Sequence, residues 1–179
     1  MGRVNHTFDA FYNKDSEILI LGTIPSVKSR LAGFYYMHPQ NRFWKILSIV
    51  YKEEIGNSID EKKLFLKKHK IALWDVLASC DILGSSDATI KNIKVNDIKS
   101  ILNKTNIKKI YTTGKKAYEL YNKYCFKDTL IEAVYLYSPS PSNCRIKLEE
   151  LLDFVTSSFL VFSSLLLSSF NFGISSKYI

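Results

Sequence analysis

Residues 18–21 form a short, continuous apolar run of the kind found in buried parallel strands. Together with three further strand-like segments, it predicts strands at residues 17–21, 71–76, 107–112 and 130–136. Between them, apolar residues that recur at helical spacing predict helices at residues 43–50, 60–70, 97–104, 115–124 and 145–154. Residues 78–92 show neither pattern and are expected to form a loop. Strands that alternate with helices indicate a parallel sheet covered on both faces.

The chain divides into two parts of different composition. Residues 1–153 contain no internal repeat and no linker, so we expect one domain there. Residues 154–179 form a distinct tail, because no charged residue occurs from Phe154 to Ile174 and Leu, Phe, Val and Ser dominate. We expect a final helix that packs on the core, followed by an altered terminus. The other interpretations are a membrane anchor, which the serine-rich interruptions disfavour, and a divergent end.

The charge balance favours a polyanionic partner. The formal net charge is +8 at pH 7 and the isoelectric point is about 9.3, and only four of the 25 cationic residues are arginines. Such a positive field raises the rate of encounter with nucleic acid but carries no sequence information. Solubility and a lysine-rich codon bias are the alternative explanations.

The cysteines and the N-terminus favour a cytoplasmic protein. Cys80, Cys125 and Cys144 are widely spaced and form no Cys-x-x-Cys pair, which favours reduced thiols and no bound metal. The N-terminus carries polar residues where the apolar region of a signal peptide would lie. We therefore expect a cytoplasmic location.

The stretch GTIPSVKSRLAGFYYMHPQNRFW at residues 22–44 concentrates the candidate chemistry directly after the first predicted strand. Gly22 permits close approach of the backbone and Pro25 stiffens the turn, so amides here can face a phosphate or a base edge. Cations, three consecutive aromatic rings and side-chain amides follow. Because ligands of open α/β sheets bind beyond the carboxyl ends of the strands, we expect a binding site here.

Two further loops follow predicted strands. Ser138–Asn143 alternates Ser and Pro, which predicts a stiff loop rich in hydroxyl groups. Thr113–Lys116 lies at a strand-to-helix junction, where backbone amides and two lysines can bind a phosphate. The spacing of a Walker motif is absent, which disfavours a nucleoside triphosphatase.

The 22–44 stretch, followed later in the chain by the loop at Ser138–Asn143 (the Ser-Pro loop), resembles the motifs of the uracil-DNA glycosylase superfamily. The resemblance is closest to its hypoxanthine-DNA (deoxyinosine) glycosylase branch. The resemblance extends over residues 5–153 and includes Leu73–Val76 and Ser79–Asp87. It implies a three-layer α/β/α sandwich with a four-stranded, mainly parallel sheet. It also implies a monofunctional enzyme of base excision repair that hydrolyses the N-glycosidic bond of hypoxanthine and leaves an abasic site. We expect a monomer that acts on single- or double-stranded DNA carrying a deaminated base, without a cofactor.

The resemblance implies roles for individual residues. Asn41 matches the essential residue of that branch and is the expected catalytic group, because its amide oxygen can orient water while its NH₂ group donates to an acceptor. Tyr36 matches the ring that stacks on an extruded base. The other base-binding candidates are Gly22, Thr23, Ile24 and His38. The candidates for DNA binding are Pro25, Ser26, Lys28, Lys115, Ser138, Ser140, Ser142, Asn143 and Arg145. Of these, Arg145, or its neighbour Cys144, could occupy the gap that the extruded base leaves.

Several of these residues have a structural alternative. Asn41 could serve only as a helix cap, and the Ser-Pro loop could be a surface connector. Asp75 and Asp87 could orient a base-reading group or cap a turn. The rings expected to support the loop or fill the core are those of Phe34, Tyr35, Phe43 and Trp44.

Ile24 departs from the mismatch-specific branch of the superfamily, which has an Asn at this place that positions the attacking water. An isoleucine side chain cannot orient water, so the mechanism of that branch does not transfer to this chain. Hypoxanthine and uracil share a carbonyl next to an N–H, so a uracil or G:T/U mismatch glycosylase is the alternative. A DNA-binding homologue without catalytic activity is the other alternative.

Overall fold

The computed structural model describes residues 2–84 and 86–160. Its strands are β1 (Gly2–Asn5), β2 (Ile18–Gly22), β3 (Ile71–Asp75), β4 (Leu77–Ile82), β5 (Lys91–Val95), β6 (Lys109–Thr113) and β7 (Ala133–Leu136). Its helices are α1 (Val27–Ala32), α2 (Phe43–Tyr51), α3 (Ile59–Lys68), α4 (Ile98–Leu102), α5 (Lys115–Tyr124), α6 (Phe126–Thr129) and α7 (Leu148–Leu160).

Four strands form the predicted parallel sheet, in the order β3-β2-β6-β7. Strand β2 shows why a continuous apolar run suits a central strand. Leu19 and Leu21 belong to the apolar core on one face of the sheet, and Ile20 belongs to the core on the other face. Because successive side chains point to opposite faces, an apolar residue is needed at every position.

Helices cover both faces of this sheet. Helices α4 and α5 cover one face through side chains such as Ile98 and Tyr121. Helices α2, α3 and α7 cover the other through Phe43, Phe65 and Leu151. The expected three-layer α/β/α sandwich is confirmed.

The prediction of a loop over residues 78–92 is wrong for the parts that form β4 and β5. These strands and β1 make a second, antiparallel sheet in the order β1-β4-β5. Strand β4 carries the polar residues Ser79 and Asp81, which interrupt its apolar pattern. Its register pairs Gly2 with Ile82, so the strand depends on a partner far away in the sequence.

Two helix starts differ from their predicted positions. Helix α3 begins after Ser58, whose side chain forms a reciprocal capping box with Glu61, rather than at residue 60. The N-cap of α2 is Arg42 rather than Asn41. Asn41 nevertheless holds the start of α2, because its Oδ1 accepts a hydrogen bond from the Phe43 N–H at 3.0 Å.

The first residues of the expected tail lie in α7, which begins at Leu148 rather than at residue 145. Val155 is buried in the core, and the ring of Phe159 stacks on Tyr111 with centroids 4.6 Å apart. This packing supports the expected final helix as far as residue 160, and residues 161–179 lie outside the described part. In that part, no helix is long and apolar enough to cross a membrane. The boundary between a domain and a tail at residue 153 stays a prediction.

Candidate active site

A cavity of about 360 Å³ opens at the carboxyl ends of β2, β3 and β6, where Gly22, Asp75 and Thr113 contribute to its lining. The loop after β7 lines it as well. Ten residues predicted from the sequence line this cavity: Gly22, Thr23, Ile24, Pro25, Ser26, Tyr36, Asn41, Ser138, Ser140 and Ser142. The fold therefore brings the two motifs, which are about a hundred residues apart, into one site.

Gly22 and Asp75 form the floor of the cavity. They lie directly opposite each other in the register of β2 and β3. A Cβ at residue 22 would overlap Oδ1 of Asp75. Glycine is therefore required here for the Asp75 carboxylate to reach the cavity.

The other oxygen of Asp75 is held by His6, a residue that no sequence pattern indicates. His6 Nε2 lies 2.9 Å from Asp75 Oδ2, and only 5% and 7% of the two side chains are exposed. His6 reaches this position because β1 pairs with β4, the strand that follows β3. Burial raises the pKa of Asp75, and the contact with His6 opposes that rise.

Tyr36 supplies a flat ring at the cavity wall. Phe43 stacks on the Tyr36 ring with centroids 3.7 Å apart and an interplanar angle of 14°. The Tyr36 hydroxyl lies 3.1 Å from Thr113 Oγ1. The neighbouring rings of Phe34 and Tyr35 are buried, as expected for residues that support the loop. Tyr36 has a φ of 54°, in the left-handed region that side chains rarely adopt, so the surrounding contacts fix its backbone. Burial also raises the pKa of Tyr36, which keeps its ring a neutral phenol.

Asn41 presents one free group to the cavity. Its Oδ1 already accepts from the Phe43 N–H, and its own N–H donates to the His38 carbonyl oxygen at 2.8 Å. Across the described ranges, no hydrogen bond engages Asn41 Nδ2. The NH₂ group is thus available to donate to a ligand, while Oδ1 keeps one lone pair for water.

Arg42 fixes the Ser-Pro loop against the start of α2. Its guanidinium donates to the carbonyl oxygens of Ile146 at 2.6 Å and Asn143 at 2.9 Å. Its backbone N–H donates to the Pro139 carbonyl oxygen at 3.1 Å. Although Arg42 lies inside the 22–44 stretch, its partners come from the other end of the chain, so sequence alone does not reveal this role.

The Ser-Pro loop is also held by its own side chains. Asn143 Nδ2 donates to the Ser138 carbonyl oxygen at 2.9 Å, and the Ser142 N–H donates to Ser140 Oγ at 3.3 Å. Gly114 packs against this loop with a φ of 98°, where a Cβ would lie 3.2 Å from Ser138 Cβ. The loop is therefore held by hydrogen bonds and packing, and its stiffness stays a prediction.

Asp87 adds a second carboxylate to the cavity lining. The Thr23 hydroxyl donates to Asp87 Oδ2 at 3.4 Å. Asp87 is exposed at the surface but also lines the cavity, and the loss of hydration there raises the pKa of its carboxyl group. Thr23 and Lys116 oppose the rise, and the negative charge of Asp75 adds to it. Within residues 2–84 and 86–160, no group of three or more His, Cys, Asp or Glu side chains could hold a metal ion.

Five predicted residues do not line the cavity, namely His38, Lys28, Lys115, Asn143 and Arg145. Lys115 and Asn143 line an adjoining groove. The side chains of Lys28 and Arg145 are exposed. His38 accepts a hydrogen bond at Nδ1 from the Gln40 N–H at 3.2 Å. Its position gives no support to the prediction that it binds the base.

Comparisons with known proteins agree with this geometry. The model of the uracil DNA glycosylase superfamily matches residues 10–155. A hypoxanthine DNA glycosylase of Methanosarcina acetivorans is 34% identical over 118 residues, which cover 65% of this chain and 75% of the relative. The protein of the same name from Methanosarcina barkeri is 33% identical over 114 residues, which cover 63% of this chain and 72% of that relative.

A solved structure shows the same fold. The solution NMR structure of a candidate uracil DNA glycosylase from Methanosarcina acetivorans superposes with a TM-score of 0.72 at 30% sequence identity. The superposition covers 82% of this chain and 91% of that one. The family match contains every motif of the cavity, and His6 lies before its first residue. The chain therefore belongs to the uracil DNA glycosylase superfamily and is a DNA glycosylase.

Proposed function

We propose that the protein removes hypoxanthine from DNA by hydrolysing its N-glycosidic bond, leaving an abasic site. The observation that carries this proposal is the presence of a flat ring, a free side-chain amide and a buried carboxylate in one cavity, from Tyr36, Asn41 and Asp75. The names of the two Methanosarcina relatives support hypoxanthine as the substrate.

The base must leave the DNA stack before it can reach these groups. An enzyme that acts on a base extrudes it and holds it against a flat surface. Tyr36 provides that surface, and Phe43 supports the ring from behind at 3.7 Å. The fixed backbone of Tyr36 holds the ring in place before the base arrives.

Asn41 is the catalytic residue of the proposed reaction. As the N-glycosidic bond breaks, its electron pair moves onto the base and the sugar becomes an oxocarbenium-like cation. Water then adds to the cation and loses a proton to solvent, and the departing base takes up a proton from solvent and leaves as neutral hypoxanthine. The Asn41 NH₂ group donates a hydrogen bond to the departing base, and the remaining lone pair of Oδ1 orients the water. A side-chain amide is not a strong base, so the rate depends on leaving-group stabilisation and positioning.

Asp75 distinguishes a deaminated base from the amino base from which it derives. An ionised Oδ1 accepts a hydrogen bond from the N1–H of hypoxanthine, which lies beside its carbonyl group. Adenine carries a ring acceptor at the same position, and two acceptors facing each other in a buried site are unfavourable. The carboxylate therefore favours hypoxanthine over adenine.

Hydrolysis is proposed without a coupled lyase step. The cation that lines the described part of the cavity is Arg30, whose guanidinium does not form a Schiff base. Arg30 instead donates to the Pro25 carbonyl oxygen at 2.6 Å and so stiffens the first turn.

The groove next to the cavity is the proposed path of the DNA backbone. Lys115 and Lys116 line it together with Ser142 and Asn143 of the Ser-Pro loop. Lysine side chains attract phosphate groups, and hydroxyl and amide groups fix the register of the strand. The net charge of +8 strengthens this attraction.

Uracil is the second candidate substrate, because its N3–H offers Asp75 Oδ1 the same hydrogen bond as hypoxanthine N1–H. Incubation of the protein with labelled duplexes that carry hypoxanthine, uracil or a G:T mismatch, followed by alkaline cleavage of abasic sites, separates these possibilities. Strand cleavage at hypoxanthine supports the proposal. Cleavage at uracil alone would assign the other substrate, and DNA binding without any cleavage would indicate a binding protein.

A further inference from the structure

Several contacts hold His6 in place beside the buried carboxyl group of Asp75. The His6 backbone N–H donates to the Ala78 carbonyl oxygen at 2.8 Å, which fixes the chain beside β4. Its ring packs edge-on against Phe8 at 4.7 Å and lies 6.0 Å from the ring of Tyr35. These contacts hold the imidazole beside Asp75, with Nε2 facing Asp75 Oδ2 at 2.9 Å.

One atom of the pair lowers the stability of the fold. His6 Nδ1 is buried and has no hydrogen-bond partner among the described residues. A buried polar atom without a partner lowers stability, and such departures from good packing occur at functional sites. Because Nδ1 has no acceptor to donate to, the favoured tautomer is the one in which Nε2–H donates to Asp75.

The bond to His6 determines which oxygen of Asp75 is left for the cavity. Oδ2 is engaged, whereas Oδ1 faces the space above Gly22. Without His6 the carboxyl group could rotate, and either oxygen could turn from the cavity. A donor at Oδ2 also favours the ionised carboxylate, which is the form that accepts hydrogen bonds.

We propose that His6 is a positioning residue for base recognition: it holds Asp75 so that Oδ1 is ionised and faces the ring N–H of the deaminated base. This inference rests on the proposed function and extends it to a residue that lies outside the family match at 10–155. His6 contacts Asp75 and is not among the residues that line the cavity, so its effect on the reaction passes through that carboxylate.

The test measures single-turnover release of hypoxanthine across a pH series with the wild-type protein, His6→Ala, His6→Gln and Asp75→Asn. The groups that interact electrostatically with Asp75 are His6, Tyr35, Tyr36 and Asp87. Among these groups, Asp87 is a carboxylate like Asp75, so Asp87→Asn shows whether the fall in rate at acidic pH comes from Asp87 instead. We expect the wild-type rate to fall at acidic pH as Asp75 takes up a proton. In His6→Ala this fall should occur at higher pH, because the ionised form of Asp75 loses a hydrogen-bond donor. Its rate at neutral pH should fall about tenfold, equivalent to about 1.4 kcal/mol.

His6→Gln should recover most of the rate, since its amide N–H can donate to Oδ2. Asp75→Asn should remove the His6-dependent fall in rate at acidic pH and lower the preference for hypoxanthine over adenine, because an amide can present either a donor or an acceptor. Thermal unfolding of each variant shows that the compared proteins are folded. A uniform loss of rate in His6→Ala, with the fall at acidic pH unmoved, would overturn the inference, as would a wild-type profile.

The controls separate this inference from the function on which it rests. If the wild-type protein releases uracil and not hypoxanthine, the same series on uracil tests His6, because uracil N3–H makes the same contact. If the wild-type protein releases neither base, the proposed function fails and the inference fails with it. If the wild-type protein is active and His6→Ala behaves identically, only the inference fails.

Discussion

Oδ1 of Asp75 occupies the space in which any residue except glycine at position 22 would carry its Cβ. Gly22→Ala should therefore displace the carboxylate from the cavity floor. We expect hypoxanthine release to fall at least about tenfold, which corresponds to a loss of about 1.4 kcal/mol of transition-state stabilisation. Single-turnover kinetics under saturating enzyme measure this change.

Gly56→Ala is the matched control, because a Cβ at Gly56 would likewise overlap a carboxylate, that of Glu61 at the start of α3. This site lies away from the cavity. Its substitution should change stability and leave the rate per folded molecule unchanged. Equal kinetic losses in both variants would show that the Gly22 effect is one of folding.

Arg42→Ala should release the Ser-Pro loop from the start of α2. It removes the hydrogen bonds to the Ile146 and Asn143 carbonyl oxygens, which at a net value of about 1 kcal/mol each lowers the free energy of unfolding by about 2 kcal/mol. Because the loop lines the cavity, hypoxanthine release should also fall about tenfold. Urea unfolding and single-turnover kinetics measure the two effects.

Arg3→Ala provides the comparison for Arg42→Ala. Arg3 also makes several hydrogen bonds, to the Asn92 carbonyl oxygen and to Ser79 Oγ, but it does not line the cavity. It should lower stability by a similar amount and leave the rate unchanged. An active Arg42→Ala protein with wild-type kinetics would contradict the role assigned to the loop.

Two substitutions of Tyr36 test whether its ring is the surface on which the base stacks. Tyr36→Leu removes the ring, and because base stacking on an aromatic ring contributes about 1–3 kcal/mol, the rate should fall between about 5- and 150-fold. Tyr36→Phe keeps the ring and loses only the contact with Thr113 Oγ1, so its rate should stay within about threefold of wild type. Similar rates for the two variants would show that the ring does not hold the base.

Asp75→Asn should leave stability at pH 7 equal to or higher than that of the wild type. The pKa of Asp75 is raised chiefly by burial, so its ionised form destabilises the native state above that pKa. As the pH falls through the raised pKa, the native carboxyl takes up a proton and this cost disappears. The advantage of Asp75→Asn should therefore shrink between pH 7 and about pH 4, near the ordinary value for an aspartate.

Asp81→Asn should show the opposite sign at pH 7. Hydrogen bonds from Asn92 and Arg3 lower the pKa of Asp81, so its ionised form stabilises the native state. Urea unfolding at several pH values compares the two variants. A large loss of stability in Asp75→Asn at pH 7 would contradict a dominant effect of burial on Asp75.

The parallel sheet and its helices could be predicted from the sequence because strand-like and helix-like patterns alternate along the chain, and the central strand β2 is apolar from Ile18 to Leu21. Leu19, Ile20 and Leu21 are buried on alternate faces, and no polar residue interrupts them. The second sheet could not be predicted. Strand β4 places Ser79 and Asp81 between its apolar residues, and its register depends on pairing with the first residues of the chain.

The same distinction holds within the cavity. Gly22, Tyr36 and Asn41 belong to one short motif, so the sequence already shows them together. His6 and Arg42 act through partners that lie 69 and up to 104 positions away. Their roles depend on strand pairing and on the path of the last loop, which local patterns do not contain.

The central claim is that the Asn41 amide acts on the departing base. The most direct measurement is single-turnover release of hypoxanthine from a labelled duplex by wild type, Asn41→Ala and Asn41→Asp, with DNA binding measured for each. Asp keeps an oxygen that accepts from the Phe43 N–H and loses the NH₂ donor, so it separates the start of α2 from the chemistry. We predict that both variants bind DNA and lose at least about 100-fold in rate. A wild-type rate in Asn41→Asp, with Asn41→Ala inactive, would show that Asn41 only holds the helix and would contradict the account.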